Sequence, residues 1–354
     1  MDRSGVRRLL GIEPTRIRIV DAETSTPEPW QRISRSRVVL RASDGHTIPC
    51  LLLEPEHLAT PLPVVALHQH NAEFHLGKSE PAGVAGNPNL AYGLALAKAG
   101  VTALIPDLHG FEERRDPSGD GAHDERFHAW NLIARGTTLL GAHVADVSLA
   151  IDWILQHTGA GSCGVIGHSL GGQVGFFSMA CDERIVAGVL NCGVGTVASF
   201  ETAGILHNPA WYPPGIVALG DSPAVAEAFH QQRVLLVAGR ADPLFPLPGV
   251  DEVVAALAPG IADHELFAGG HELPDQMLTH EVEWLIRELN SLGNPDGAGH
   301  GSTCACRKPH TSRNHCGTNS SNACSSSPPA SASTTHHDVS TSVPGGQSSS
   351  GGSR

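Results

Sequence analysis

Gly164-Val165-Ile166-Gly167-His168-Ser169-Leu170-Gly171-Gly172 decides how this chain is read. It begins as a short apolar run, the mark of a buried strand. It continues as Gln173-Val174-Gly175-Phe176-Phe177-Ser178-Met179-Ala180, which reads as a helix. A strand, a tight turn and a helix form the setting that a G-x-S-x-G nucleophile turn requires. So sharp a turn strains its serine, and Gly167 and Gly171 lack the side chains that would collide with strand and helix. Ser169 is lifted into the open at the tip. The helix after it points its first N–H groups toward negative charge developing at the hydroxyl. An ordinary Gly-rich strand-to-helix turn shares the five-residue pattern, so the rest of the chain must supply the partners.

On both sides of that stretch, short apolar runs alternate with helical periodicity. Residues 1–32 form a poorly periodic extension, with a short helix expected over Val6 to Leu10. Val38 to Arg41 and Thr47 to Leu53 flank Ser43-Asp44-Gly45, a hairpin signal. Val64 to Leu67 is a continuous apolar run, as in a strand buried on both faces, and it ends at His68-Gln69-His70-Asn71. A helix bearing Leu90, Leu94 and Ala97 stops at Gly100, and Val101 to Ile105 is the next strand. After a polar loop from Gly110 to Asp124, the spacing predicts one long helix from about His128 to Gln156. Strands follow at Ile185 to Leu190, Val234 to Ala238 and Glu265 to Phe267. Helices follow near Gly249 to Leu257 and Asp275 to Leu292, and residues 193–233 read as an irregular cap or rim. The alternation predicts an α/β fold: a mostly parallel central sheet, helices on both faces and an antiparallel edge. In such a sheet ligand chemistry belongs at the C-terminal ends of the strands.

The 354 residues, 40% of them hydrophobic, suffice for a sizeable core. A net charge of −13 supplies no basic face for nucleic acid. The apolar runs are broken by Gly, Pro or polar residues, so no membrane partner is expected. The N-terminus lacks a signal-type apolar core, and the expected location is cytoplasmic. Cys50, Cys163, Cys181 and Cys192 lie in or beside apolar segments and read as small buried hydrophobes. Residues 1–292 are expected to form the catalytic domain. From Gly293 the chain turns to Ser, Gly, Thr, Pro, Asn and His, too little apolar surface to offset chain entropy, so 293–354 are expected to be a disordered tail. The tail's Cys304, Cys306, Cys316 and Cys324 match no closed zinc site.

A serine needs a base, and the base needs an acid to orient it. The turn's usual order places both later in the chain, acid first. Asp242 directly follows the strand Val234 to Ala238, in Gly239-Arg240-Ala241-Asp242-Pro243. His271 follows the next strand, in Ala268-Gly269-Gly270-His271-Glu272. Alone, Asp242 is an Asp-Pro turn residue and His271 a loop histidine. Three such residues at strand ends, in the required order, point to a Ser169–His271–Asp242 triad. Asp221, before a helix, and Asp263, opening a strand, are the rival acids. His264, before a strand, and His280, within the last helix, are the rival bases. An oxyanion hole needs two N–H groups. Leu170 supplies one; His70, with Gln69 beside it, is the candidate for the other. A metal at His68, His70 and His75 lacks a carboxylate partner, so neither metal nor cofactor is expected.

With these residues in place, the chain resembles the α/β-hydrolase superfamily. His68-Gln69-His70-Asn71, Phe74-His75-Leu76-Gly77-Lys78-Ser79-Glu80, Phe111-Glu112-Glu113-Arg114 and the Gly136 to Ala150 helix resemble its dienelactone-hydrolase-like and acetyl-xylan-esterase-like branch. The resemblance covers about residues 35–292. It implies a serine hydrolase acting on a small-molecule carboxylic ester or lactone. Two departures stand out: Ser169 where dienelactone hydrolases carry cysteine, which favours esters in general, and Gln69 where a Gly is usual. An oligopeptidase-type peptidase shares the catalytic domain but usually carries a large N-terminal propeller. A catalytically silent binding protein would not need all three triad residues. A homo-oligomer is compatible with the sequence. Arg114 and Arg115 read as a solvated loop salt bridge rather than a contact to an acidic substrate.

Overall fold

The structure, a computed structural model, describes residues 1–12, 17–117 and 119–292. The expected tail, 293–354, lies outside the described residues. Helix α1 (Arg3–Leu10) begins where Asp2 accepts from the Gly5 N–H and ends at Gly11, φ 68°. Strands β1 (Ile19–Thr24) and β2 (Glu28–Trp30) follow, in a region that the sequence left unassigned. Their residues are exposed or half-buried, so no apolar alternation marks them. β3 (Ile33–Ala42) and β4 (Thr47–Pro55) form the expected hairpin. The fully buried β5 (Val64–Leu67), then α2 (Tyr92–Lys98) and β6 (Ala103–Pro106), continue the order.

The single long helix expected from His128 is two helices. α3 (Gly121–Ala134) and α4 (Leu139–Thr158) are separated at Gly136, φ 83°, and Thr138 caps α4 by accepting from the Gly141 N–H. The apolar spacing of α4 alone gives no sign of that break. α4 is long and apolar enough to cross a membrane by composition alone, but most of it is buried inside the protein. β7 (Cys163–His168), α5 (Leu170–Cys181) and β8 (Ile185–Asn191) carry the opening stretch and its neighbour. The segment expected to be irregular holds α6 (Val197–Ala203) and α7 (Asp221–Ala226). β9 (Arg233–Gly239), α8 (Leu247–Ala256), β10 (Ala262–Phe267) and α9 (Met277–Leu292) complete the order.

The strands form one sheet in the order β1-β3-β4-β6-β5-β7-β8-β9-β10, with β2 also on β3. From β6 across to β10 every pairing is parallel, and β1 to β4 make the antiparallel edge. Side chains alternate between faces along each strand. Val65, Leu67 and Val165 pack with α1, α4 and α5; Val64, Ala66 and Ile166 pack with α2 and α9. The parallel strands therefore deliver their C-terminal ends, and the loops after them, to one edge of the sheet.

Candidate active site

Ser169 sits between β7 and α5 at φ 54°, ψ −115°, a conformation that L-residues avoid. Its N–H donates to the Asn191 carbonyl at 2.8 Å, which ties the turn to β8. A Cβ at Gly167 would fall 2.4 Å from the Gly171 backbone, and one at Gly171 would fall 2.2 Å from the Leu67 carbonyl oxygen. Both positions thus require glycine. Leu170 opens α5, so its N–H belongs to the first turn, where no intrahelical acceptor exists.

Asp242 lies in the loop after β9 with its carboxylate fully buried. Oδ1 accepts from the N–H groups of Leu244 (2.8 Å) and Phe245 (3.2 Å). Oδ2 accepts from Nδ1 of His271 at 2.9 Å. Burial opposes the charge of Asp242, but the hydrogen bond and charge of His271 and the two N–H groups outweigh it. They hold the carboxyl below its ordinary pKa. With Nδ1 donating, Nε2 of a neutral His271 is left as the acceptor. The ring stacks on Phe245, with centroids 5.5 Å apart and planes 5° apart, and meets the His168 ring at 4.8 Å. His168 immediately precedes Ser169, and burial pushes its pKa down to about 3, so it stays neutral.

The Asp–His pair thus stands against the turn that carries Ser169. Among the described residues no hydrogen bond joins Ser169 Oγ to His271; such bonds are often long or misaligned until substrate binds. The rival acids are engaged elsewhere. Asp221 accepts from the Ala198 and Ser222 N–H groups, and Asp263 binds Arg233 and the Trp284 indole. Asp263 and His264 lie within β10, which starts at Ala262 rather than at Glu265. His280 faces Glu265.

The loop after β5 is held by its own side chains. The Gln69 amide donates to Glu80 at 3.2 Å. His70 bonds Glu125 through Nε2 at 3.0 Å and accepts the Ala72 N–H at Nδ1. His68 meets the Gln69 carbonyl through Nδ1 and accepts the Leu108 N–H at Nε2. Both nitrogens of His68 and of His70 therefore have protein partners. His75 is exposed. Next to this loop the buried Lys78 ammonium reaches Asp107 (2.7 Å), Glu112 (2.7 Å) and Glu113 (2.9 Å), joining the loops after β5 and β6. Burial would discharge Lys78, but the three carboxylates outweigh it and raise its pKa. Arg114 is not the solvated loop cation expected. It is largely buried, pairs with Asp146 at 2.6 Å and donates to the Asp107 carbonyl. A cleft of about 1100 Å³ opens elsewhere, beside α1 and α4, and none of Ser169, Asp242 or His271 lines it.

No protein-family model matches the chain. Among curated proteins it is similar to YtaP of Bacillus subtilis (strain 168), provisionally named a hydrolase, at 26% identity over 259 residues. That match spans 71% of this chain and 84% of YtaP. Among solved structures it resembles a provisionally named acetyl xylan esterase from Bacteroides fragilis NCTC 9343. The TM-score is 0.61 at 17% identity, covering 75% of this chain and 74% of that one. It also resembles the acetyl xylan esterase from Paenibacillus sp. R4, with a TM-score of 0.56 at 18% identity, covering 82% and 92%. The chain has the α/β-hydrolase fold.

In this hydrolase fold several groups around Ser169 escaped the sequence. His168 is the variable residue of the G-x-S-x-G pattern, so nothing marks it. Phe245 lies three residues beyond Asp242, in what reads as a Pro-rich turn. With Phe200 and Trp211 it forms an aromatic cluster between His271 and the segment that bears α6. Only packing brings those aromatics together.

Proposed function

We propose that this chain hydrolyses small carboxylic esters, lactones included, through an acyl-enzyme on Ser169. The observation that carries the reading is the Asp242–His271 hydrogen bond of 2.9 Å, set against the Ser169 turn through the His168–His271 ring contact. Nε2 of His271 takes the proton of Ser169 Oγ as that oxygen attacks the carbonyl carbon. The oxyanion accepts from the N–H of Leu170 and from that of His70, with Gln69 next to it. His271 then passes its proton to the leaving alcohol. Water attacks the acyl-enzyme by the same route and frees the acid. Asp242 holds the imidazole with Nδ1 protonated and stabilises the imidazolium. Acetyl xylan esterases among the structural neighbours favour a short acyl group. The aromatic wall of Phe200, Trp211 and Phe245 beside His271 agrees with that.

Ser169→Ala is expected to abolish turnover of p-nitrophenyl acetate, and a fluorophosphonate probe to label the wild type only. Unchanged turnover in Ser169→Ala would sink the reading. A panel of esters and lactones of increasing acyl length then sets the specificity.

A further inference from the structure

Cys192 read as a buried hydrophobe, and its side chain is indeed buried. Its position is more specific than that. It follows β8 at φ 43°, with its N–H donating to the Val237 carbonyl at 2.8 Å, a conformation that packing must hold. Its sulfur, an Asp242 oxygen and a His271 nitrogen all lie within 4.8 Å of one another. We propose that these three residues form an inhibitory site for a thiophilic divalent cation, zinc above all. The proposal rests on reading His271 as the base.

Three arguments support it. Thiolate, imidazole and carboxylate are zinc's preferred donors, and three protein ligands leave a fourth position for water. Cys192 and Asp242 are buried, and a dication bound to a thiolate and a carboxylate is neutral overall, so the complex leaves no uncompensated charge there. His271 keeps a 17% exposed side chain, which gives the cation an entrance. The contrast with the other acidic group is instructive. Asp107, Glu112 and Glu113 cluster as tightly, but the Lys78 ammonium occupies their centre. No lysine or arginine is seen to pair with Asp242 among the described residues; its ion-pair partner is His271.

Inhibition follows from proton placement. If the metal takes Nε2, the base is coordinated. If it takes Nδ1, the neutral ring carries its one proton on Nε2. Ser169 loses its proton acceptor either way. Binding releases one proton, from the Cys192 thiol, so affinity should rise with pH.

Calorimetric titration of the full chain with zinc chloride tests the site, wild type against Cys192→Ser, with p-nitrophenyl acetate hydrolysis followed alongside. Cys192→Ser keeps the shape and removes the soft ligand; Cys192→Ala is the second variant if serine disturbs the fold. Zinc bound anywhere else on the chain is common to all variants and cancels. The wild type should bind one more zinc than either variant and lose hydrolysis as that site fills, with recovery on adding EDTA. The variants should hydrolyse normally and need at least about tenfold more zinc for half-inhibition. Identical isotherms for wild type and both variants would overturn the site. A Cys192-dependent zinc that leaves hydrolysis untouched would overturn its inhibitory role. Ser169→Ala should retain the extra zinc. A wild type that binds it yet hydrolyses no ester therefore upholds the site and fails only the esterase reading.

Discussion

Ser169 occupies backbone space that a side-chain-bearing residue enters only when its surroundings compel it. The compulsion is visible: a bond to the β8 backbone on one side and two glycines without room for a methyl group on the other. A second residue shows the opposite arrangement. Glu281 on α9 is fully buried, and the Asn191 side chain beside it only partly offsets that burial. Burial pushes its pKa up to about 8. In the unfolded chain it ionises at the ordinary carboxylate value, so between there and pH 8 only the unfolded state releases the proton. Stability should fall by about 1.4 kcal/mol per pH unit over that window from this group alone. Glu281→Gln should remove the loss. Its melting temperature relative to wild type should climb from pH 5 to pH 8, and a flat difference would refute the assignment.

At the scale of elements, the candidate site draws on loops that follow β5, β6, β7, β9 and β10, and buried charge pins two of them. Lys78 joins the loop after β5 to Asp107 after β6 and to the turn bearing Glu112 and Glu113. Replacing Lys78 by Met leaves three carboxylates facing one another. At pH 7 that should cost about 3–5 kcal/mol in urea unfolding. The deficit relative to wild type should shrink toward pH 5 as the carboxylates take up protons. These elements were unequally legible. β5, β7 and β9 are continuous apolar runs buried on both faces, and their pattern survives in the sequence. The α3–α4 break, the helices α6 and α7 and the strands β1 and β2 do not, because one glycine, short lengths and exposed faces leave no periodic signal.

For the whole molecule, buried neutral histidines set the acid limit. Burial pulls His68 down to about 4, His109 and His168 to about 3, and lowers His143 as well. Each binds a proton in the unfolded chain near pH 6.5 but not in the folded protein, so their share of stability is intact above about 6.5 and lost as pH falls below it. The urea midpoint should therefore drop steeply between pH 6.5 and 5. A midpoint constant over that range would contradict the neutral assignment.

By itself the sequence determined the sheet, its sequence of buried strands, and the spacing of Ser169, Asp242 and His271 at strand ends. Strand burial and tight turns are local constraints, written in apolar runs and glycines. Tertiary structure decided what surrounds those three residues: His168 and Phe245 on the two sides of the imidazole, Lys78 among its carboxylates, Cys192 beside Asp242. Those contacts join positions tens to more than a hundred residues apart, and no local pattern encodes which distant side chains meet once the parallel strands bring their ends together.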